Sequence, residues 1–230
     1  MARFSQLTVC RGSAKVLDGT QLDIPAGTVT GLVAPNGSGK TTLLESIWRP
    51  WDKRVSCEIE PADTIRDARG WRRAVFYLPS PAIMASQESV RWNIELARDC
   101  WGSSVDVEKL AARLGIEGFL DRPVRKCSQG MAQLAAIATA MATGTRILLL
   151  DEPMSALDPT NVGIVTRAMR SYTHTGRSIV MSTHNLANVD ASCDRIAFIA
   201  GGKVECIDGA ERNAESCAAR YRELYEGSAI

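Results

Sequence analysis

The sequence predicts an α/β fold: a mostly parallel core sheet covered by helices, with a β-rich N-terminal segment and an inserted α-helical subdomain. Three observations carry this. Short apolar runs at residues 29–33, 75–78, 147–150, 178–182 and 195–199 alternate with helical stretches, the order expected of parallel strands buried on both faces. Residues 82–142 are Ala-rich, with apolar residues at helix spacing. The run at 29–33 leads straight into a Gly-rich loop.

Taken in order, residues 7–10, 16–17 and 22–24 read as strands, and Pro25-Ala26-Gly27 as a turn. A helix after the Gly-rich loop ends near Arg49-Pro50, where proline stops it. In the helical subdomain, residues 88–100, 107–114 and 129–142 read as helices, and Asp106 can cap the second. Asp158-Pro159 starts another helix. Residues 203–207 form a last strand and the final twenty residues an amphipathic helix. Residues 66–73, basic and bearing Trp71, read as a solvated connection with Trp71 packed inward. The chain is then one domain over 1–230. Its core is 1–79 and 143–208, its helical subdomain 80–142 and its C-terminal helix 209–230.

Lys plus Arg number 27 and Asp plus Glu 26, a net charge of +1. This near-neutral balance gives no electrostatic case for nucleic acid. No apolar stretch approaches the roughly 20 residues of a membrane helix, and residues 1–10 lack a signal-peptide core. A cytoplasmic protein is expected. The seven cysteines are dispersed without a C-x-x-C pair, which fits thiols in a reducing compartment.

Residues Ala34-Pro35-Asn36-Gly37-Ser38-Gly39-Lys40-Thr41-Thr42 fit the phosphate-binding P-loop pattern. Gly37 and Gly39 let the backbone curl so that N–H groups point at phosphate oxygens, and the next helix adds its positive end. Lys40 can reach the outer phosphates of a bound ligand, and Thr41 can hold Mg²⁺. Ala34 stands where glycine is usual, and is small enough if its φ is negative. Residues 147–150 form an apolar strand that ends in Asp151-Glu152. The carboxyl edge of an open α/β sheet is where ligands sit. Asp151 is placed to bind Mg²⁺, and Glu152 to orient the water that attacks the terminal phosphate.

With these motifs, residues 3–208 resemble the ATP-binding cassette (ABC) family. Cys127-Ser128-Gln129-Gly130-Met131 looks like the family's signature motif. Ser155-Ala156-Leu157-Asp158 resembles its interface-crossing loop, and Ser182-Thr183-His184 ends in what resembles its switch histidine. The resemblance implies a P-loop ATPase fold with an antiparallel β subdomain at the N-terminus. It implies two cassettes meeting head to tail, as homodimer or heterodimer, with Asp158 at the interface. Ser128 and Gly130 would grip the γ-phosphate held by the other subunit, and His184 would help place the water. The helical insert would dock on a membrane-spanning transporter subunit, leaving this chain peripheral on the cytoplasmic face.

Three departures qualify the likeness. The family places an aromatic ring for adenine where this chain has Cys10-Arg11-Gly12, so Arg11 would lie on the base. The family's glutamine, which touches Mg²⁺ and relays to the membrane partner, falls in Pro79-Ser80-Pro81, leaving Ser80 as a shorter metal contact. The Ser-x-Gly-Met form of the signature resembles that of drug and peptide exporters. Two other readings stand beside transport: a soluble cassette ATPase of the iron–sulfur assembly kind, and a nucleotide-binding regulatory subunit. Glu152 and His184 argue against the second, since a site without catalysis needs neither.

Overall fold

The computed structural model describes residues 2–60, 68–207 and 214–226. Strands β1 (Ala2–Arg11) and β2 (Ala14–Ile24) form an antiparallel hairpin, and β4 (Val55–Glu60) pairs with the other edge of β1. The short runs expected at 16–17 and 22–24 are parts of one strand. Between them Gly19 has φ +58° and donates its N–H to Thr8 Oγ1 at 2.9 Å. The chain bulges there and keeps pairing. Strand β4 was not anticipated, although Val55, Cys57 and Ile59 alternate with polar residues.

The second sheet has six strands. It comprises β3 (Val29–Val33), β5 (Val75–Leu78), β6 (Ile147–Leu150), β7 (Ser178–Thr183), β8 (Arg195–Ala200) and β9 (Lys203–Ile207), in the order β5-β6-β7-β3-β8-β9. All neighbours are parallel except β8 and β9. Successive residues of each central strand enter two different cores. Leu148, Leu150, Ile179 and Met181 pack on one face, and Ile147, Leu149 and Val180 on the other. Strands buried on both faces have no polar side to show, so their sequences are unbroken apolar runs.

Helix α1 (Lys40–Trp48) lies on the second face with the hairpin: Leu43, Leu44 and Ile47 pack with Phe4, Leu17 and Leu22. The basic stretch is not a loop where it is described. Ala68–Ala74 is helix α2, with Trp71 only 1% exposed; Arg66 and Asp67 lie outside the described residues. Trp71 packs inward, as the sequence suggested.

The opposite face carries α3 (Val90–Trp101), α4 (Val107–Leu114), α5 (Gln129–Ala142), α6 (Pro159–Thr173) and α7 (Leu186–Ser192). Ser89, Asp106, Ser128, Asp158 and Asn185 each cap the helix that follows, accepting from a backbone N–H two or three residues on. Helix α7 was not anticipated, though Asn185 is its start signal. Helix α8 (Ala214–Tyr225) closes the chain, and residues 209–213 and 227–230 of the expected C-terminal helix lie outside the described residues. Tyr225 of α8 donates its hydroxyl toward Ile199 O at 2.8 Å and Val33 O at 3.1 Å. Its tip thus sits where β3 gives way to the P-loop.

Candidate functional site

Strand β3 delivers the chain into the P-loop at the carboxyl edge of the sheet. Gly37 (φ +83°) and Gly39 (φ +100°) make the turn in the left-handed region. A Cβ on Gly39 would also lie 2.8 Å from Val16 Cγ1, so no side chain fits there. The only non-glycine residues with positive φ among those described are Gln6 and Glu152. Ala34 therefore meets the condition its place in the loop demands. No side chain caps α1 at Gly39, which leaves its first N–H groups for an anion. Lys40 folds back into the loop, its ammonium donating to Ala34 O at 2.7 Å and Pro35 O at 3.2 Å.

Strand β6 delivers the two acids beside this loop. Asp151 accepts at Oδ2 from Thr41 Oγ1 (2.7 Å) and Tyr77 Oη (3.3 Å), and at Oδ1 from Ser182 Oγ. Glu152 takes φ +47°, a backbone state that costs a residue with a side chain roughly 1–3 kcal/mol. Its N–H donates to the same Ser182 hydroxyl at 2.9 Å. Ser182 is fully buried, so one hydroxyl fixes both acids. The Glu152 carboxylate then meets His184 Nδ1 at 3.0 Å and lies 3.9 Å from the Lys40 ammonium. Tyr77 and Ser182 were not anticipated as site residues. Both sit on strands read correctly, but the direction of a side chain at a strand end depends on neighbours the sequence does not reveal.

The Thr41 hydroxyl and Asp151 carboxylate form a pair of hard oxygen donors. Among the described residues no group of three or more His, Cys, Asp or Glu could cage a metal. That donor set fits Mg²⁺, which is usually held by one or two protein oxygens together with substrate phosphates. Ser80 is drawn elsewhere: its Oγ accepts from Ala82 N at 3.3 Å, capping a 3₁₀ turn at Pro81–Ile83. No hydrogen bond joins it to Thr41 or Asp151.

The signature and interface residues lie apart from the acids. Ser128 Oγ accepts from Met131 N at 3.3 Å, and the Asp158 carboxylate accepts from Asn161 N at 3.0 Å. The helix-start hydrogen bonds hold Asp158 below its ordinary pKa, with the bond from Asn161 N–H the largest cause. A Cβ at Gly130 would approach Ala156 O to 3.3 Å, so the start of α5 packs closely on the loop that leads to Asp158. None of the hydrogen bonds of Ser128 or Asp158 reaches Lys40, Thr41, Asp151 or Glu152. A cleft of about 360 Å³ beside the acids is lined by Glu152, Ser155, Leu157, His184 and Asn185. His174 is exposed at the end of α6.

A larger cleft of about 460 Å³ holds neither Lys40 nor Glu152. Its lining includes Arg11, Thr42, Trp48, Arg49 and the exposed Ile83. Arg11 is exposed at the tip of the β1–β2 hairpin. A guanidinium there can lie on any purine, whereas stacking on an aromatic ring is worth about 1–3 kcal/mol per base. We expect ATP and GTP affinities within a few-fold of one another by equilibrium competition. A strong preference for ATP would show that other residues read the base.

Known proteins resemble this chain in sequence and in fold. The model of the ABC transporter family matches residues 17–155. The chain is 31% identical to the hemin import ATP-binding protein HmuV of Streptomyces coelicolor, over 89% of its own length and 76% of that protein's. It is 32% identical to the daunorubicin resistance ATP-binding protein DrrA3 of Streptomyces coeruleorubidus, over 84% of its own length but only 63% of that protein's. Among solved structures, one described as the ATP binding subunit of an ABC transporter superposes with a TM-score of 0.82 at 22% identity. It covers 99% of this chain and 98% of that one.

Proposed function

Because the chain belongs to the ABC transporter family, among its ATP-binding subunits, we propose that it hydrolyses MgATP to drive transport through a separate membrane-spanning partner. The observation that carries this reading is the placing of Glu152. Its carboxylate sits between His184 Nδ1 and the Lys40 ammonium at the mouth of the P-loop.

The roles of the residues follow from their positions. Backbone N–H groups of the loop from Asn36 to Thr42 receive the phosphates, and Lys40 exchanges its two carbonyl partners for phosphate oxygens. Thr41 and Asp151 hold Mg²⁺, which neutralises charge on the phosphates. Glu152 orients the attacking water and takes its proton, while His184 holds the Glu152 carboxylate in place. Ser128 and Gly130 face a second cassette, whose P-loop they complete across a dimer that includes Asp158. A lone chain then holds two half-sites and turns over slowly. Residues 1–79 and 143–208 serve as the nucleotide core, and 80–142 as the partner-facing insert.

Apolar side chains at the surface support a docking face for the membrane partner. Trp51, Ile83, Trp92 and Leu96 are each at least 40% exposed, and Ile83 borders the larger cleft. No helix among the described residues is long and apolar enough to cross a membrane. The relatives named above include one that serves import and one that serves drug resistance. The Ser128-x-Gly130-Met131 form of the signature supports export here.

The test is a tagged pull-down from detergent-solubilised cells. We expect a polytopic membrane protein in stoichiometric amount. Soluble partners alone would overturn the transport reading and favour a soluble cassette ATPase.

A further inference from the structure

Tyr77 touches both the larger cleft and the metal carboxylate. Its ring lines the cleft and packs on Trp48, with centroids 5.5 Å apart. Its hydroxyl lies 3.3 Å from Asp151 Oδ2, although the side chain is only 7% exposed. The phenol O–H donates to the carboxylate. The contact is longer than the usual O–H···O limit of about 3.0 Å. A small shift of the ring therefore makes or breaks it.

The surroundings leave this side chain as the direct link. Trp48 ends α1, the helix whose first residues are Lys40 and Thr41. Strand β5, which carries Tyr77, pairs with β6, and Asp151 N–H donates to Leu78 O at 2.9 Å. The Ser80 hydroxyl is committed to its 3₁₀ turn, and two prolines flank it. Tyr77 and Thr41 both donate to the same Asp151 oxygen, so the hold of Tyr77 bears on how that oxygen is offered to a cation.

On the reading that the cleft receives the partner and Asp151 serves the metal, we propose that Tyr77 is a positioning residue. Through it, occupancy of the cleft sets the hold on Asp151. A partner segment pressing on Trp48 moves the Tyr77 ring, and its hydroxyl tightens or releases the carboxylate.

The experiment is a double-substitution cycle read by Mn²⁺ titration, using electron paramagnetic resonance on the full chain with saturating ADP. The cleft is altered by Trp48→Leu or by Ile83→Arg, the latter at an exposed position that leaves folding intact. With Tyr77 present, each should shift the Mn²⁺ half-saturation by at least about 3-fold, within the coupling seen for residues that share a cavity. With Tyr77→Phe, which keeps the ring and removes the hydroxyl, the shift should fall below about 1.5-fold. Equal shifts in both backgrounds would overturn the link through the hydroxyl. Should Tyr77→Phe fail to fold, no shift with Ile83→Arg in the parent chain would overturn it alone. Failure of the parent to bind Mn²⁺ with nucleotide would instead overturn the function proposed above.

Discussion

Replacing Glu152 by Gln is expected to lower ATP turnover by at least about 100-fold, the lower end of what a positioned general base contributes. Nucleotide affinity should stay within a few-fold, because the P-loop and Lys40 are untouched. Gln keeps the length and planar shape of the side chain, and its amide can still meet His184. What it loses is the ability to take a proton from water. The change also removes a negative charge 3.9 Å from the Lys40 ammonium, so any shift in ATP affinity should be toward tighter binding. Single-turnover hydrolysis and equilibrium nucleotide binding, measured on the same preparation, check both halves. Unchanged turnover would show that another group activates the water.

The largest effect on stability is expected from Trp71→Ala. The side chain is 1% exposed, packs edge-on against Phe4 at 5.8 Å, and donates its indole N–H to Ile47 O at 2.8 Å. Ile47 lies in the last turn of α1, where backbone carbonyls lack partners within the helix. Removing the indole leaves a cavity and an unmet carbonyl together. Losses of about 3–5 kcal/mol are usual for burying Ala in place of a core aromatic. In a chain of this size each kcal/mol lowers Tm by about 2–4 °C. Trp71→Phe should cost less, since the ring contact with Phe4 survives while the hydrogen bond does not. Thermal denaturation of both variants tests this, and a Tm unchanged in Trp71→Ala would place the indole outside the core's energetics.

Both experiments bear on α1, from opposite ends. Its N-terminus presents Lys40 and Thr41 to the phosphates, and its C-terminus rests on Trp71 and forms the Trp48 wall of the larger cleft. A loosened C-terminus should therefore weaken nucleotide binding as well as folding.

Several features of this molecule were legible in the residues themselves. Strands β3, β5, β6 and β9 and helices α4 and α5 begin and end where the apolar pattern and caps placed them. Strands buried on both faces, and helices opened by Ser or Asp, obey local rules that need no knowledge of distant neighbours. The P-loop was legible for the same reason: Gly37, Gly39 and Lys40 are adjacent in sequence because a single turn of backbone must do the work. The acid pair announced itself by ending an apolar strand.

Tertiary structure alone decided what crosses between elements. That Tyr77 and Ser182 converge on Asp151, and that Ser182 also holds Glu152 in its left-handed conformation, depends on the order β5-β6-β7. Strand order is set by packing between residues far apart in sequence, and no local pattern encodes it. The same holds for α2: the sequence placed Trp71 inward, but its partner, Ile47 O at the end of α1, came only with the tertiary fold. Sequence determined which chemical groups stand at the sheet's carboxyl edge. Folding decided which of them touch, because a hydrogen bond between strands exists only once the strands have chosen their neighbours.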